Sequence, residues 1–389
     1  MELKEYTVEE LVNKNMIEKP FDGNHGNKHP KSSDYVEIGI PFIMVSDINN
    51  GRINYNTCKF ITEEQRNGLD KGFSRKGDIL LSHKATIGVT CIVDDLYPEI
   101  VITPQLTCYR VKNGINKYYL KYYFDSPYFQ NILKNWATSG STRAYLGITA
   151  QLKLPILLPE LEIQNKISKI LSLIDRKIEL NMHTNNNLLQ LGDLIYNNFF
   201  NDSKKEWSVK TLKEISNNFD SKRKPMSSRE REEHKGTYPY YGTTSIIDYV
   251  DNYLFDDTYI LMGEDGTVIT DDNKPVLQYI WGKFWANNHA HVLQGSIVSN
   301  EYLYFALRNT DVKSLVTGAV QPKINQENMN KLKFIIPDQD NLKILENSLS
   351  ILMKKYKENC CKISTLEQIR YTLLPKLMNG EIDLDKVEI

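Results

Sequence analysis

The segment from Pro159 to Phe200, PELEIQNKISKILSLIDRKIELNMHTNNNLLQLGDLIYNNFF, decides the fold because its pattern occurs twice. Apolar residues recur in it at intervals of three and four, as on the face of a helix that packs against another helix. The same spacing returns 178 residues later in the chain. The seam residues are Ile167, Leu171, Ile174, Ile178 and Asn181 in the first copy, and Leu345, Leu349, Leu352, Tyr356 and Asn359 in the second. This match favours two long, paired helices over two unrelated core helices.

Both seams contain a polar residue at the same place, Asn181 in the first copy and Asn359 in the second. A buried Asn in a helix seam lowers stability but fixes the register of the pair. Each segment has about 40 residues, so at about 1.5 Å per residue it predicts a helix roughly 60 Å long.

The rest of the chain repeats as well. Trp207-Ser208-Val209 matches Tyr6-Thr7-Val8, and Gly318 precedes Pro337 as Gly140 precedes Pro159. The sequence therefore predicts an α+β protein with two mixed α/β globular segments in tandem, joined by two long antiparallel coiled-coil helices. The predicted boundaries are 1–158 and 206–336 for the globular segments, and 159–205 and 337–389 for the helical ones.

Composition restricts the class of protein. The 389 residues are 41% apolar and 25% charged, which is typical of a globular chain, and no apolar run reaches the roughly 18 residues of a membrane span. The five cysteines form no CxxC pair, so we expect a reducing, cytoplasmic environment. The net charge of −1 does not indicate a general nucleic-acid binder. If the protein binds DNA, local patches or partner subunits must attract the phosphates.

Several motifs resemble those of a known family. Tyr238–Ile246, Gly263–Gly266 and Trp285–Leu293 resemble the target-recognition domain of type I restriction-modification specificity subunits. Gly77–Leu81 with Thr86–Gly88 is similar to the equivalent strand and turn in the first globular segment, and Leu373–Ile382 is similar to the family's last helix ending. The resemblance covers essentially the whole chain.

The resemblance implies that each globular segment reads one half of a bipartite, asymmetric site in double-stranded DNA. The helices would act as a spacer, and two modification subunits would dock beside them. Those partners would methylate adenine with S-adenosylmethionine, and separate restriction and translocase subunits would use ATP and Mg²⁺. The chain itself would hold no cofactor, catalyse no reaction and bind no membrane.

Candidate DNA contacts lie in predicted loops that carry side chains able to reach base edges and phosphates. They are His83, Lys84, Thr86, Arg143 and Tyr145 in the first globular segment, and Lys222, Arg223, Lys224, Gln321 and Lys323 in the second. Arg143 and Gln321 occupy matching positions, and their side chains suit guanine and adenine respectively. The alternative is that these residues are solvated surface positions or strand-end caps.

Other kinds of site are disfavoured. His289 and His291 could point to one face of a strand like a metal pair, but no further ligands occur at the usual spacing, so we expect structural roles and no metal. Glu160 with Asp175 and Lys177 superficially resembles a nuclease pattern, although these residues belong to the flank of the long helix. A coiled-coil scaffold whose globular segments bind proteins remains an alternative, because the charge is near neutral.

Overall fold

The computed structural model describes residues 2–138, 144–201, 207–318 and 321–384. The chain divides into two compact units, one formed by Met1–Glu179 with Ile363–Ile389 and the other by Leu180–Lys362. Each unit contains a globular α/β part and one portion of each long helix. We call the globular parts domain 1, within residues 1–158, and domain 2, within residues 206–336.

The described residues of domain 1 form short strands and five α-helices. The strands are β1 (Lys4–Thr7), β2 (Phe21–Asp22), β3 (Ile40–Ile43), β4 (Ile48–Asn49), β5 (Arg52–Ile53), β6 (Lys59–Ile61), β7 (Phe73–Ser74), β8 (Ile79–Lys84), β9 (Thr86–Ile92), β10 (Ile100–Ile102), β11 (Leu106–Tyr109) and β12 (Pro155–Leu158). The helices are α1 (Val8–Asn13), α2 (Glu63–Asn67), α3 (Lys117–Asp125), α4 (Pro127–Thr138) and α5 (Ile148–Gln151).

Eight strands in the described part of domain 1 form two four-stranded sheets, in the orders β2-β11-β8-β9 and β6-β3-β10-β7, and β4 pairs with β5 apart from them. In the second sheet β3 and β10 are parallel, whereas β1 pairs antiparallel with β12 outside both sheets. Thr7 caps α1 through a capping box with Glu10, as the Thr-x-x-Glu spacing predicts. Aromatic side chains of α3, among them Tyr119 and Phe124, are buried in the main core.

Domain 2 repeats this plan. Its strands are β13 (Ser208–Thr211), β14 (Ser216–Asn218), β15 (Lys235–Tyr241), β16 (Ile246–Val250), β17 (Phe255–Asp256), β18 (Tyr259–Gly263), β19 (Leu277–Ile280), β20 (Lys283–Ala286), β21 (Ala290–Gly295) and β22 (Lys333–Ile336). Its helices are α7 (Leu212–Ile215), α8 (Ser228–Glu233), α9 (Asn300–Arg308) and α10 (Gln326–Asn330). The long helices are α6 (Leu161–Asn201) and α11 (Gln339–Met378).

The sheets of domain 2 have the orders β14-β21-β18-β19 and β16-β15-β20-β17, and β15 is parallel to β20. Equivalent side chains even make equivalent bonds, since the Tyr119 hydroxyl donates to the Leu157 carbonyl and the Tyr302 hydroxyl to the Ile335 carbonyl. The predicted tandem repeat of mixed α/β domains with two long helices is confirmed.

The long helices run antiparallel within each unit. In the first unit Ile167 and Leu171 share a core with Leu374 and Leu377. In the second unit the amides of Asn185 and Asn359 are hydrogen-bonded at 3.1 Å. Within the described ranges, no helix combines the length and apolarity that crossing a bilayer requires.

Candidate nucleic-acid interface

A tight turn joins β8 to β9 in domain 1 and exposes polar side chains. Lys84 ends β8, Thr86 begins β9, and both are exposed. Ala85 between them has a left-handed φ of 64°, which is uncommon for a residue with a Cβ. Such backbone strain often occurs at functional sites.

A second segment, loop 144–147, lies directly against this turn. Tyr145 pairs with Lys84 in an antiparallel bridge, and the Ala85 N–H donates to the Ala144 carbonyl at 3.1 Å. The Tyr145 side chain is 48% exposed, and the Lys84 ammonium lies 6.0 Å from its ring centroid. Lys84, Thr86 and Tyr145 are therefore brought together on one surface. Arg143 lies outside the described residues.

His83 requires a correction. The sequence predicts that it contacts DNA, but its side chain is fully buried, and Nδ1 lies 2.6 Å from the Thr107 hydroxyl. A β-bulge between Leu81 and His83 breaks the alternation of inward and outward side chains along β8. His83 therefore faces the core, where its ring lies 5.7 Å from the Tyr145 ring.

Domain 2 presents the same arrangement with different side chains. Lys323 pairs with Asp265 in an antiparallel bridge, as Tyr145 pairs with Lys84. Gly266 follows with a φ of 85°, and its N–H donates to the Pro322 carbonyl at 3.0 Å. Residues 322–324 thus correspond to residues 144–146, and we call the segment from 321 to 324 loop 321–324.

The side chains of loop 321–324 differ in their exposure and in their ion pairs. Gln321 is exposed. The Lys323 ammonium lies 3.2 Å from Asp265 and 3.3 Å from Glu264, and the hydrogen bond to Asp265 raises the pKa of Lys323. The charge at this edge of domain 2 is therefore partly compensated, in contrast to the Lys84 edge of domain 1.

The basic cluster Lys222-Arg223-Lys224 does not act as a unit. Lys222 and Lys224 are exposed, and Lys222 lies 4.9 Å from the ring centroid of Phe219. The Arg223 side chain is only 11% exposed and donates to Glu264 at 2.7 Å and to the Ala290 carbonyl at 2.7 Å. The guanidinium of Arg223 therefore points inward, which disfavours the predicted contact of Arg223 with DNA.

Asp220, Glu264 and His291 place possible metal ligands within 4.8 Å of one another. However, both nitrogens of His291 are already engaged, Nδ1 with Asp220 at 2.6 Å and Nε2 with the Ile324 carbonyl at 2.8 Å. The Arg223 guanidinium lies against both carboxylates and supplies a positive charge where a metal ion would sit. The geometry is that of a charge-compensated network. His289, the other candidate of the motif, is half-exposed beside Asp265.

The predicted seam residues have several environments. Ile167, Leu171, Ile178, Leu345 and Leu349 are buried, as are Asn181 and Asn359, whereas Ile174 and Tyr356 are half-buried. Leu352 is half-buried as well, and the neighbouring Met353 is buried at 1% exposure. The Nδ2 atom of Asn181 has no hydrogen-bond partner among the described residues.

Sequence reasoning did not identify Gln151, Asp220 and Asp265. A signal for Asp220 exists, because Phe219-Asp220 repeats Phe21-Asp22 and both carboxylates are bonded to a histidine. Gln151 carries no such signal, since a polar residue in a four-residue helix gives no indication of burial.

Comparisons with known proteins agree with this plan. A family model for the type I restriction modification DNA specificity domain matches residues 4–190 and 204–359. A Haemophilus influenzae protein named as a type I restriction enzyme specificity subunit is 35% identical over 136 residues, which are 35% of this chain and 34% of that protein. The type I restriction enzyme MjaIX specificity subunit of Methanocaldococcus jannaschii is 24% identical over 402 residues, covering 92% of this chain and 90% of that protein.

A solved structure shares the fold. The S subunit of a type I restriction-modification system from M. genitalium has a TM-score of 0.55 at 16% identity, and the match covers 97% of this chain and 96% of that one. The family match takes in most of the chain in two successive segments, so the chain belongs to the type I restriction-modification DNA specificity family. It is a specificity subunit with two target-recognition domains in tandem.

Proposed function

We propose that each domain of this chain reads one half of a bipartite, asymmetric site in double-stranded DNA. The long helices set the number of unread base pairs between the half-sites and dock two adenine-methyltransferase subunits. The observation that carries the proposal is that one turn-and-loop arrangement occurs in both domains with different side chains, Lys84 with Tyr145 and Asp265 with Lys323.

Two domains that read different half-sites need different side chains at equivalent positions, and the two turn-and-loop arrangements have them. Lysine donates to the guanine acceptors in the major groove, whereas a carboxylate accepts from the cytosine amino group. A shared backbone that displays different donors and acceptors therefore supports an asymmetric site. Lys222 and Lys224, which are exposed in domain 2, suit phosphates, and these contacts position a protein without carrying sequence information.

The chain acts as a non-catalytic subunit in the cytoplasm and carries no cofactor itself. S-adenosylmethionine belongs to the modification subunits, and ATP with Mg²⁺ belongs to restriction and translocase subunits. The net charge of −1 supports an assembly in which partners provide much of the attraction to phosphate.

The decisive test is single-molecule sequencing of modified bases in the native genome, with the gene intact and with it deleted. We expect a bipartite N6-methyladenine motif that disappears on deletion. Complementation with the wild-type gene should restore the motif. A genome whose methylation is the same in both strains would contradict the proposal, provided that the modification subunits are expressed.

A single lysine tests the interface in domain 1. In the complex with the modification subunits, Lys84→Gln should weaken binding to the cognate duplex by about 1–3 kcal/mol and relax the base preference in one half-site. Lys59→Gln, which changes an exposed lysine on β6, is the matched control and should leave the affinity and the base preference unchanged. Equal affinity and equal base preference for the wild type and Lys84→Gln would show that Lys84 does not contact the DNA.

A further inference from the structure

Behind each candidate loop, a buried side chain holds the same backbone carbonyl. In domain 1 the Leu146 carbonyl accepts a hydrogen bond from Gln151 Nε2 at 2.8 Å. In domain 2 the Ile324 carbonyl accepts one from His291 Nε2 at 2.8 Å. Leu146 directly follows Tyr145, and Ile324 directly follows Lys323, so the two carbonyls are equivalent in the repeat.

The two donors come from different elements. Gln151 is the last residue of α5, whereas His291 lies on β21, and both are fully buried. If the hydrogen bond to the loop were only a by-product of the repeat, the same residue type would make it from the same position in both domains. Here two unrelated side chains make the same bond, which indicates that the loop carbonyl has to be held.

In domain 1 the donor belongs to a small buried network. Gln151 Nε2 also donates to the Thr107 hydroxyl at 2.9 Å, and Gln151 Oε1 accepts from the Tyr109 hydroxyl at 2.8 Å. Each polar atom of the Gln151 amide therefore has a partner, which fixes its rotamer and the direction of its bond to Leu146.

In domain 2 the orientation of the donor, His291, is fixed by charged side chains around its ring. The Ile324 carbonyl can only accept a hydrogen bond, so Nε2 of His291 donates to it, while Nδ1 lies against the Asp220 carboxylate. Burial acts to raise the pKa of Asp220, but the hydrogen bond and charge of His291 lower it overall. Glu264 at 3.6 Å also faces the ring, and Arg223 is bonded to Glu264.

We infer that Gln151 and His291 are positioning residues, each of which holds the candidate loop of its own domain and thereby sets recognition of one half-site. This inference rests on the function proposed above. Because a displacement of about 1 Å in a recognition element can reduce a rate by about 100-fold, losing the bond should impair recognition without unfolding the domain.

Two amide substitutions at His291 test whether its hydrogen bond to the loop is needed or whether the side chain only fills space in the core. In His291→Gln the amide nitrogen lies as many bonds from Cβ as Nε2 does, so it can still donate to the Ile324 carbonyl. In His291→Asn the amide nitrogen takes the place of Nδ1 and can donate only to Asp220. In domain 1, Gln151→Leu removes the donor, and Tyr109→Phe removes a bond of the same network that does not involve the loop.

The experiment measures methylation rates of the purified complex with its modification subunits. The substrates are the cognate duplex and duplexes with single base changes in either half-site. We expect His291→Asn to lower the cognate rate by roughly 10- to 100-fold and to tolerate changes in one half-site only, whereas His291→Gln stays within about threefold of the wild type. Gln151→Leu should relax the opposite half-site, and Tyr109→Phe should not.

Other results would overturn the inference. Equal losses in His291→Asn and His291→Gln, or a uniform loss across both half-sites, would mean that these side chains only stabilise the fold. Melting temperatures of the variant complexes provide a check on folding. If the wild-type complex methylates no bipartite site, the proposed function fails. If it does and the variants behave as wild type, only the role of Gln151 and His291 fails.

Discussion

At the residue scale, Ala85 and Gly266 occupy the same turn of the two domains, with left-handed φ values of 64° and 85°. This conformation costs a residue with a Cβ about 1–2 kcal/mol, and glycine avoids the cost but loses about 0.5–1 kcal/mol more in chain entropy. Ala85→Gly should therefore stabilise the protein by roughly 0.5 kcal/mol, and Gly266→Ala should destabilise it by about the same amount.

Urea denaturation of both variants beside the wild type measures these changes. A Cβ at Gly266 would find no atom within 4 Å, so its cost is conformational and does not come from a clash. A loss of stability in Ala85→Gly would show that the turn does not hold the left-handed conformation in solution.

His83 gives domain 1 a specific sensitivity to acid. Burial lowers the pKa of His83 from 6.5 to about 4. The unfolded chain binds a proton on this residue below about pH 6.5, whereas the folded chain resists it until about pH 4. The stability that the neutral ring contributes is therefore present above pH 6.5 and is lost as pH falls to about 4, at a rate approaching 1.4 kcal/mol per pH unit.

The check is the melting temperature between pH 4 and pH 7 for the wild type and for His83→Asn. Asparagine retains a polar atom near Thr107 but does not titrate, so the decline in acid should be shallower in the variant. Parallel curves for the two proteins would show that His83 has no part in the acid sensitivity.

At the scale of elements, the helix seam shows what a repeating pattern can and cannot predict. The intervals of three and four locate Leu345 and Leu349 in the core, but they select Leu352 where the structure buries Met353. In this unit α11 packs in a core with α6 and with α9 of domain 2, so its buried face is not the narrow seam of a helix pair. Leu and Met are similarly apolar, so sequence alone could not decide between them.

Truncating Leu352 and Met353 tests which of the two contributes more to the core. Met353→Ala should cost about 2–5 kcal/mol, because it empties a buried site. Leu352→Ala changes a half-buried neighbour and should cost less, about 1 kcal/mol. Guanidinium denaturation of the two variants gives the comparison, and a larger loss for Leu352→Ala would show that Leu352 contributes more to the packing than Met353 does.

The contacts of the seam asparagines also show what the sequence pattern cannot predict. The repeat relates Asn181 to Asn359, but residues related by a tandem repeat do not face each other in an antiparallel pair. Asn359 is instead bonded to Asn185, which also donates to Cys360 at 3.2 Å. The sequence repeat identifies equivalent positions in the two helices, but the antiparallel direction of the helix pair decides which residues contact each other.

At the scale of the whole molecule, the tandem repeat was predictable because it depends on spacing over hundreds of residues. The matched turns and loops followed from the same repeat. The direction in which His83 and Arg223 point was not predictable, since a bulge in β8 and a network of buried charges set it. Sequence thus located the candidate surface and could not separate its exposed side chains from the residues that support it.

The repeat leads to a prediction about spacing. Half-sites read on one face of DNA lie about 34–36 Å apart, and continuous helices such as α6 and α11 can fix such a distance where a flexible linker cannot. Removing seven residues from each helix, in segments that face each other, keeps the apolar seam in phase and shortens the pair by about 10 Å. The gap in the methylated motif should then shorten by about three base pairs.

Sequencing of modified bases in cells that express the shortened chain measures the gap directly. Both half-sites should stay the same, because the deletion leaves loops 144–147 and 321–324 intact. A deletion of seven residues from only one helix is the control, and it should abolish methylation because the seam falls out of register. If the double deletion methylated a motif with the original gap, the helices could not be the element that measures the distance between the half-sites.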